Sequence, residues 1–464
     1  MSREKTLIKN TFIYAIGNLL SKCVGFILLP FYTAYFKPED YGYFDLITTT
    51  MALLIPIVTF QLTDGIYRYL IEADSYKEKQ KIISSSFNII FIGMLISNIV
   101  YFIFVHFIRL QFRYEILIMA DLSVLYGIWS QIARGLKKNV EYSFSGVIVT
   151  IVTISMNIFL VLYTNLRVEA MIISNIVASI VVLLYLEYKL KIIKYITFAV
   201  KDIELQKRLI VYSVPLLANV INWWVMNVSD RYIINYFLGM EANGIYAIAN
   251  KFPTMLMMFS GIFTLAWQES AITENNSKDR DNFYSNMFNS FMKFEVTICL
   301  ILISFTKVVT AIMVNSKYQV SWKYVPFLYL GAVFNSFAAF YGVGYQVAKE
   351  TKGSFYTSMV GAVINILINI AMIPYIGIQA ASLSTMIGFL VMWLLRIYQT
   401  KKYFDIKINK INIFKLSILL IVFTSLYFYN NKIIDVILML SSILIFFIFN
   451  KELIYKVILK IKKK

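Results

Sequence analysis

Five basic residues, Lys22, Arg231, Lys251, Lys293 and Lys307, stand inside long apolar runs of this sequence, as do the acids Asp64, Asp121, Asp230 and Glu295. A charge at the centre of a membrane-spanning helix costs about 2.5 to 3.5 kcal/mol on insertion scales, so each must find water, a counter-ion or an interface. Embedded cations suit an anionic ligand, because Lys supplies a point charge and Arg can engage two oxygens at once. Embedded acids suit ion pairing or proton uptake. Asp64 and Arg68 are four residues apart, a helical spacing that lets them meet as a structural pair. Asp121 and Glu295 fall near the middle of their runs, whereas Glu269 falls close to an end and faces water. Asp230 and Arg231 are adjacent and project about 100° apart on a helix. That spacing predicts Arg231 turned toward a ligand path and Asp230 toward a structural partner.

Other chemistries are poorly served. His106 is the one histidine of the chain, which argues against a histidine-ligated metal, and Cys23 and Cys299 both fall in apolar runs, which argues against a disulfide framework. Asp279-Arg280-Asp281 imitates the acidic motif of metal-dependent sugar transfer, but it lies in a short polar loop with no nucleotide-binding domain around it. No cofactor is implied and no enzyme activity is expected.

The elements that position these residues are membrane helices. Of 464 residues, 59% are hydrophobic and only 15% charged, against roughly 25% charged in an ordinary soluble domain. The net charge of +18 sits in short segments between apolar stretches, where it sets topology; it does not point to nucleic acid. Apolar runs of spanning length predict an all-α integral membrane protein of about fourteen helices. They include Lys9–Phe36, Tyr41–Ile71, Leu209–Leu238, Gly244–Thr273 and Phe283–Val314, with Ile411–Tyr429 and Ile433–Phe449 at the end. Most Lys and Arg fall on one side, which predicts cytoplasmic N- and C-termini. MSREKTLIKN runs directly into the first long helix, so no cleavable signal is expected.

The two halves resemble each other. AYFKPEDYGYF (Ala34–Phe44) is similar to NYFLGMEANGIY (Asn235–Tyr246), with Gly42 opposite Gly244 and Glu72 opposite Glu274. Asn18 falls opposite Asn219, and Ser174 and Tyr188 fall opposite Ser384 and Tyr398. Six spans per copy leave both copies in the same orientation, a parallel repeat. The expected division is a lobe at 1–195, a cytoplasmic linker at 196–208, a second lobe at 209–404 and a terminal helix pair with a basic tail at 405–464. Lobes so related can rock about a central site. The charges do not follow the repeat, since Pro30 stands opposite Arg231, which suits a cavity for an asymmetric ligand.

NTFIYAIGNLLSKCVGFILLPFYTAYFKPEDYGYFDL, SDRYIINYFLGMEANGIYAIANKFP and GAVINILINIAMIPYIGIQAASLST resemble the bacterial O-antigen and capsule repeat-unit flippases, the polysaccharide transport branch of the multidrug/oligosaccharidyl-lipid/polysaccharide flippase superfamily. The resemblance covers nearly the whole chain. It implies a V-shaped pair of lobes in the bacterial inner membrane, moving an undecaprenyl-diphosphate-linked oligosaccharide from the cytoplasmic to the outer leaflet. Membrane lipids, a polysaccharide polymerase and chain-length machinery are the candidate partners. The SKxxGF context of Lys22 resembles the start of the lipid II flippase, where a basic residue contributes to the cavity. In that relative an added terminal helix pair is associated with the lipid tail. Lys22, Arg231 and Lys251 are then the candidate diphosphate ligands. Asn219, Asn222 and Trp223, with Trp224, Asn227, Gln61, Trp267 and Gln268, offer the hydrogen bonds and stacking faces that sugars need. Asp64, Arg68, Asp121, Asp230, Glu269 and Glu295 are the coupling or ion-pair candidates, with proton, sodium and potential coupling all open. The rival readings are a cation-coupled drug antiporter of the same superfamily, whose cavity should be dominated by acids, and a membrane glycan polymerase or glycosyltransferase, which would call for a large outside loop.

Overall fold

The computed structural model describes residues 25–198, 202–348, 351–429 and 431–462. Among them the regular structure is helical: α1 Leu29–Tyr35, α2 Pro38–Val58, α3 Leu62–Leu70, α4 Tyr76–Phe107, α5 Arg113–Gly135, α6 Asn139–Tyr163, α7 Val168–Leu190, α8 Ile203–Ala249, α9 Pro253–Thr273, α10 Arg280–Met313, α11 Val325–Val347, α12 Thr351–Ile376, α13 Ile378–Thr400, α14 Lys410–Tyr427 and α15 Lys432–Lys462. Twelve of these are long and apolar enough to cross a membrane, two fewer than the expected fourteen. The first expected span lies mostly outside the described residues. The eighth, Gly244–Thr273, bends at Asn250–Phe252, and its second part, α9, carries Trp267, Gln268 and Glu269, which lower its mean hydropathy.

The second expected span also divides. Residues 59–61 separate α2 from α3, with the Gln61 amide reaching back to the Pro56 carbonyl (2.9 Å) and the Phe60 amide to Ile57 (3.0 Å). These are the paired closures that end a helix around a left-handed residue, and Phe60 takes that conformation at φ +49°. A similar interruption splits α8 at Gly239, whose φ of +85° and ψ of 179° are open to glycine at no steric cost. Gly244 serves closeness instead, because a Cβ there would overlap the Pro38 carbonyl.

The chain forms two compact units, one containing Asp40–Trp224 and the other Phe26–Glu39 with Val225–Lys464. In the first, Leu62, Ile66 and Leu70 recur every fourth residue along α3 and pack with Ile128, Ile132 and Ala133 of α5 and Val182 and Leu186 of α7. Leu205 and Leu209, from the start of α8, join this core. In the second unit α11 is the most enclosed span, packed between α9, α10 and α13. The last two helices fold against α10, where Leu300, Phe423 and Leu438 form a small core. The segment before α14 is fixed to α10 by hydrogen bonds from the backbone N–H of Lys407 to Ser285 Oγ and from that of Asn409 to Asn289 Oδ1, both 2.8 Å.

Candidate functional site

A buried polar cluster in the second unit is built by α8, α12 and α13. Asp230 is almost fully buried, and its carboxylate accepts hydrogen bonds from the Tyr246 hydroxyl and from Thr385 Oγ1 (3.4 Å). Arg231 folds back along its own helix, donating through Nη1 to Asp230 Oδ1 (3.2 Å) and to the Asn227 carbonyl (2.8 Å). The neighbours expected to point apart are therefore an ion pair. The long Arg side chain spans the angular gap, and a carboxylate shielded from water rewards it for doing so. Around them Asn365 Nδ2 donates to Ser384 Oγ (3.4 Å) and Thr385 Oγ1 (3.3 Å), and Asn369 Nδ2 donates to Asn365 Oδ1 (3.2 Å). Asn369 Oδ1 accepts no hydrogen bond.

Asn365 and Asn369 are one helical turn apart on α12, so both amides face the same neighbours. A carboxylate, two amide oxygens and two hydroxyls make a hard-oxygen donor set suited to an alkali or alkaline-earth cation and not to a transition metal. Among the described residues no group of three or more His, Cys, Asp or Glu could hold a metal ion.

The remaining embedded charges are dispersed. Glu295 of α10 is fully buried and accepts from Ser260 Oγ (2.8 Å). Lys307 of α10 pairs with Asp435 of α15 (2.9 Å), its ammonium lying 5.2 Å from the Trp322 ring centroid and 5.0 Å from that of Tyr427. Lys251 is half-buried at the bend before α9, and Glu269 is exposed near the end of α9. Lys22 lies outside the described residues.

Within the first unit, Asn219 is exposed, while Asn222 and Trp223 are half-buried on α8. Trp224 Nε1 donates to the Thr49 carbonyl (2.7 Å). Asp121 accepts from Asn98 Nδ2 (3.0 Å). The expected pair of Asp64 with Arg68 is replaced: Gln61 Nε2 donates to Asp64 (2.9 Å), and Arg68 pairs with Glu72 one turn further on. The left-handed turn at Phe60–Gln61 brings Gln61 over the first turn of α3, and both Arg68 and Glu72 project to the surface. Trp267 is likewise no sugar platform. It is buried, stacked on Phe340 at 4.1 Å, with Nε1 donating to the Phe340 carbonyl.

Beyond Asn365 and Asn369, two features escaped the sequence reading. Arg396 of α13 is buried among neutral partners, the Ala338 carbonyl (2.7 Å), Thr357 (3.1 Å), Ser354 (3.3 Å) and Ser358 (3.1 Å). Its signal was available, an Arg inside VMWLLRIYQT, as were Asn365 and Asn369 in INILINI. The other is an apolar cavity of about 470 Å³ between α10, α11, α13 and α14, walled by residues such as Val296, Phe334, Phe337, Trp393, Leu416 and Leu420.

An all-helical membrane chain with this order of spans has the fold of known flippases and multidrug transporters. The lipid II flippase MurJ in an inward closed conformation superposes with a TM-score of 0.74 at 17% identity, covering 96% of this chain and 100% of that one. An inward-facing multidrug resistance MATE family transporter of the MOP superfamily gives 0.64 at 13% identity, over 87% of this chain and 98% of that one. An uncharacterised membrane protein of Methanocaldococcus jannaschii is 22% identical over 443 residues, 87% of this chain and 86% of that protein. Residues 7–268 match the polysaccharide biosynthesis protein family, and the chain belongs to that family.

Proposed function

We propose that this protein flips an undecaprenyl-diphosphate-linked oligosaccharide repeat unit from the cytoplasmic to the outer leaflet of a bacterial inner membrane, for O-antigen or capsule assembly. The observation that carries the reading is membership of the polysaccharide biosynthesis family on a fold shared with a lipid II flippase. The apolar cavity beside α14 supports it, because a wall of Phe, Leu, Val and Trp side chains suits a prenyl chain and offers a sugar little. In this reading the lobes 1–195 and 209–404, joined by 196–208, rock in alternating access with both termini cytoplasmic. Lys22, Arg231 and Lys251 meet the diphosphate, and Asn219, Asn222 and Trp223 meet the sugars. Arg231 then exchanges Asp230 for the incoming phosphate, leaving the Asp230, Asn365 and Thr385 oxygens for a coupling cation. A polymerase and chain-length machinery would consume the product.

The buried Asp230 cluster also suits the antiporter reading, since an acid with amide and hydroxyl oxygens is equally a coupling site for drug export. Two measurements separate them. Deleting the gene should leave unpolymerised lipid-linked units in the inner leaflet, and purified protein in vesicles should move a fluorescent undecaprenyl-diphosphate oligosaccharide between leaflets. Normal outer-leaflet delivery in the deletion strain, with no paralogue present, would overturn the flippase reading.

A further inference from the structure

Three lysines from three different helices of the second unit surround one small cavity. Lys293 of α10, Lys415 of α14 and Lys451 of α15 line a space of about 230 Å³ together with Asn412, Ile448, Phe449 and Glu452. Independent contacts bring them to one level. The bond from the Asn409 amide to Asn289 Oδ1 places the start of α14 one turn before Lys293, and Asn450 Nδ2 donates to Thr297 Oγ1 (2.9 Å) one turn after it. Lys415 therefore stands in the second turn of α14, and Lys451 is the first residue past the tie between α15 and α10. Among the described residues none of the three lysines lies within ion-pair distance of a carboxylate. Glu452 is the single acid in the lining, so the cavity keeps an excess of positive charge.

The level matters as much as the charge. The apolar run of α15, Ile433–Phe449, ends immediately before Asn450 and Lys451, and at 1.5 Å per residue it is about 25 Å long. The lysines therefore lie where hydrocarbon gives way to headgroups, on the cytoplasmic side in the orientation proposed above. Ile448, more than half exposed, and Phe449 line the cavity beside them. Positive charge over an apolar flank matches a phospholipid, with its phosphate among the ammonium groups and its acyl chain along Ile448 and Phe449.

We propose that this cavity is a binding site for the headgroup of an anionic phospholipid of the cytoplasmic leaflet, which cross-links α10 to the terminal helix pair through Lys293, Lys415 and Lys451. The site shares no lining residue with the Asp230 cluster or with the apolar cavity, although Lys293, Asn412 and Lys415 are chain neighbours of Met292, Ile413 and Leu416 in that cavity's wall. Ligand binding is read without transport, and the outcome is independent of what the protein carries.

The test is native mass spectrometry of the full chain in detergent, titrated with dioleoyl phosphatidylglycerol or dioleoyl phosphatidylcholine. Wild type should retain phosphatidylglycerol preferentially. Each lysine near a membrane surface contributes about fivefold to anionic lipid affinity, so the triple variant Lys293→Gln, Lys415→Gln, Lys451→Gln should bind about a hundredfold more weakly. The single variants keep the test available if the triple fails to fold. A matched triple in the first unit, Lys137→Gln, Lys138→Gln, Lys189→Gln, should keep the tightest site. Undiminished phosphatidylglycerol binding by the cavity variants would overturn the proposal. So would displacement of the lipid by millimolar inorganic phosphate, which would make the cavity a site for a free anion.

Discussion

Replacing Arg231 by Leu removes a guanidinium that donates to a buried carboxylate and leaves the carboxylate in place. Asp230 has a side chain only 2% exposed and Arg231 one 10% exposed, so water cannot take over the lost interaction. Breaking a buried ion pair from one side costs about 3 to 5 kcal/mol. The lower end applies here, because Tyr246 and Thr385 still donate to Asp230. A loss of about 3 kcal/mol is therefore expected for Arg231→Leu. Adding Asp230→Asn should restore most of it, since a neutral amide needs no counter-charge and can still accept from Tyr246. The assay is unfolding of the purified protein in mixed micelles, followed by tryptophan fluorescence, for wild type, both single variants and the double variant. A double variant no more stable than Arg231→Leu would refute the idea that the pair is energetically closed on itself. Arg231→Leu as stable as wild type would show that the pair contributes nothing net. In either case lost export by a well-folded Arg231 variant would show that transport needs the pair, and a parallel loss of lipid-linked substrate binding would assign Arg231 to the substrate.

Lys307→Met should weaken the attachment of the last two helices by about 1.5 to 3 kcal/mol, the range for a hydrogen bond to a charged group. Limited proteolysis between α14 and α15 should read this as faster cleavage, partly restored by Asp435→Asn. Gly244→Val should reduce membrane abundance sharply, because its Cβ would overlap the Pro38 carbonyl backbone, where nothing can yield. Ser417→Trp, at an exposed position on the wall of the apolar cavity, narrows it and should abolish photo-cross-linking of a prenyl-diphosphate probe while abundance measured by immunoblot stays near wild type. Glu295→Gln should leave abundance and melting temperature near those of wild type, since the amide oxygen can still accept from Ser260.

The membrane class and most spans were legible because hydropathy over about twenty residues needs no partner to be read. Choices between partners were not legible. Arg68 has Asp64 four residues before it and Glu72 four residues after it, and helical spacing alone does not rank them. A break at Phe60–Gln61 without glycine or proline at the turn settled the matter by giving Asp64 to Gln61. Trp267 reads from the sequence as a stacking face for sugars, and the approach of Phe340 from α11 makes it core instead. The counter-ion of Lys307 was not legible because Asp435 is 128 residues away in sequence. Asn365 and Asn369 carried a visible signal, one turn apart in an apolar helix, but their connection to Asp230 runs through Thr385 on a third helix.

That same distance of 128 residues between Lys307 and Asp435 has a meaning in time. A ribosome adding about 5 to 20 residues per second needs roughly 6 to 25 s to travel from one to the other. During that interval α10 must dwell in or beside the insertion machinery with an ammonium group and no native counter-ion. Trp322 and Tyr427, whose rings flank the ammonium, are made before Asp435, Trp322 almost at once and Tyr427 shortly before it. The nascent lysine can thus be sheltered by an aromatic face first and neutralised later, and a chain stopped short of α15 would leave the quality-control proteases of the membrane a permanently unfinished helix to recognise.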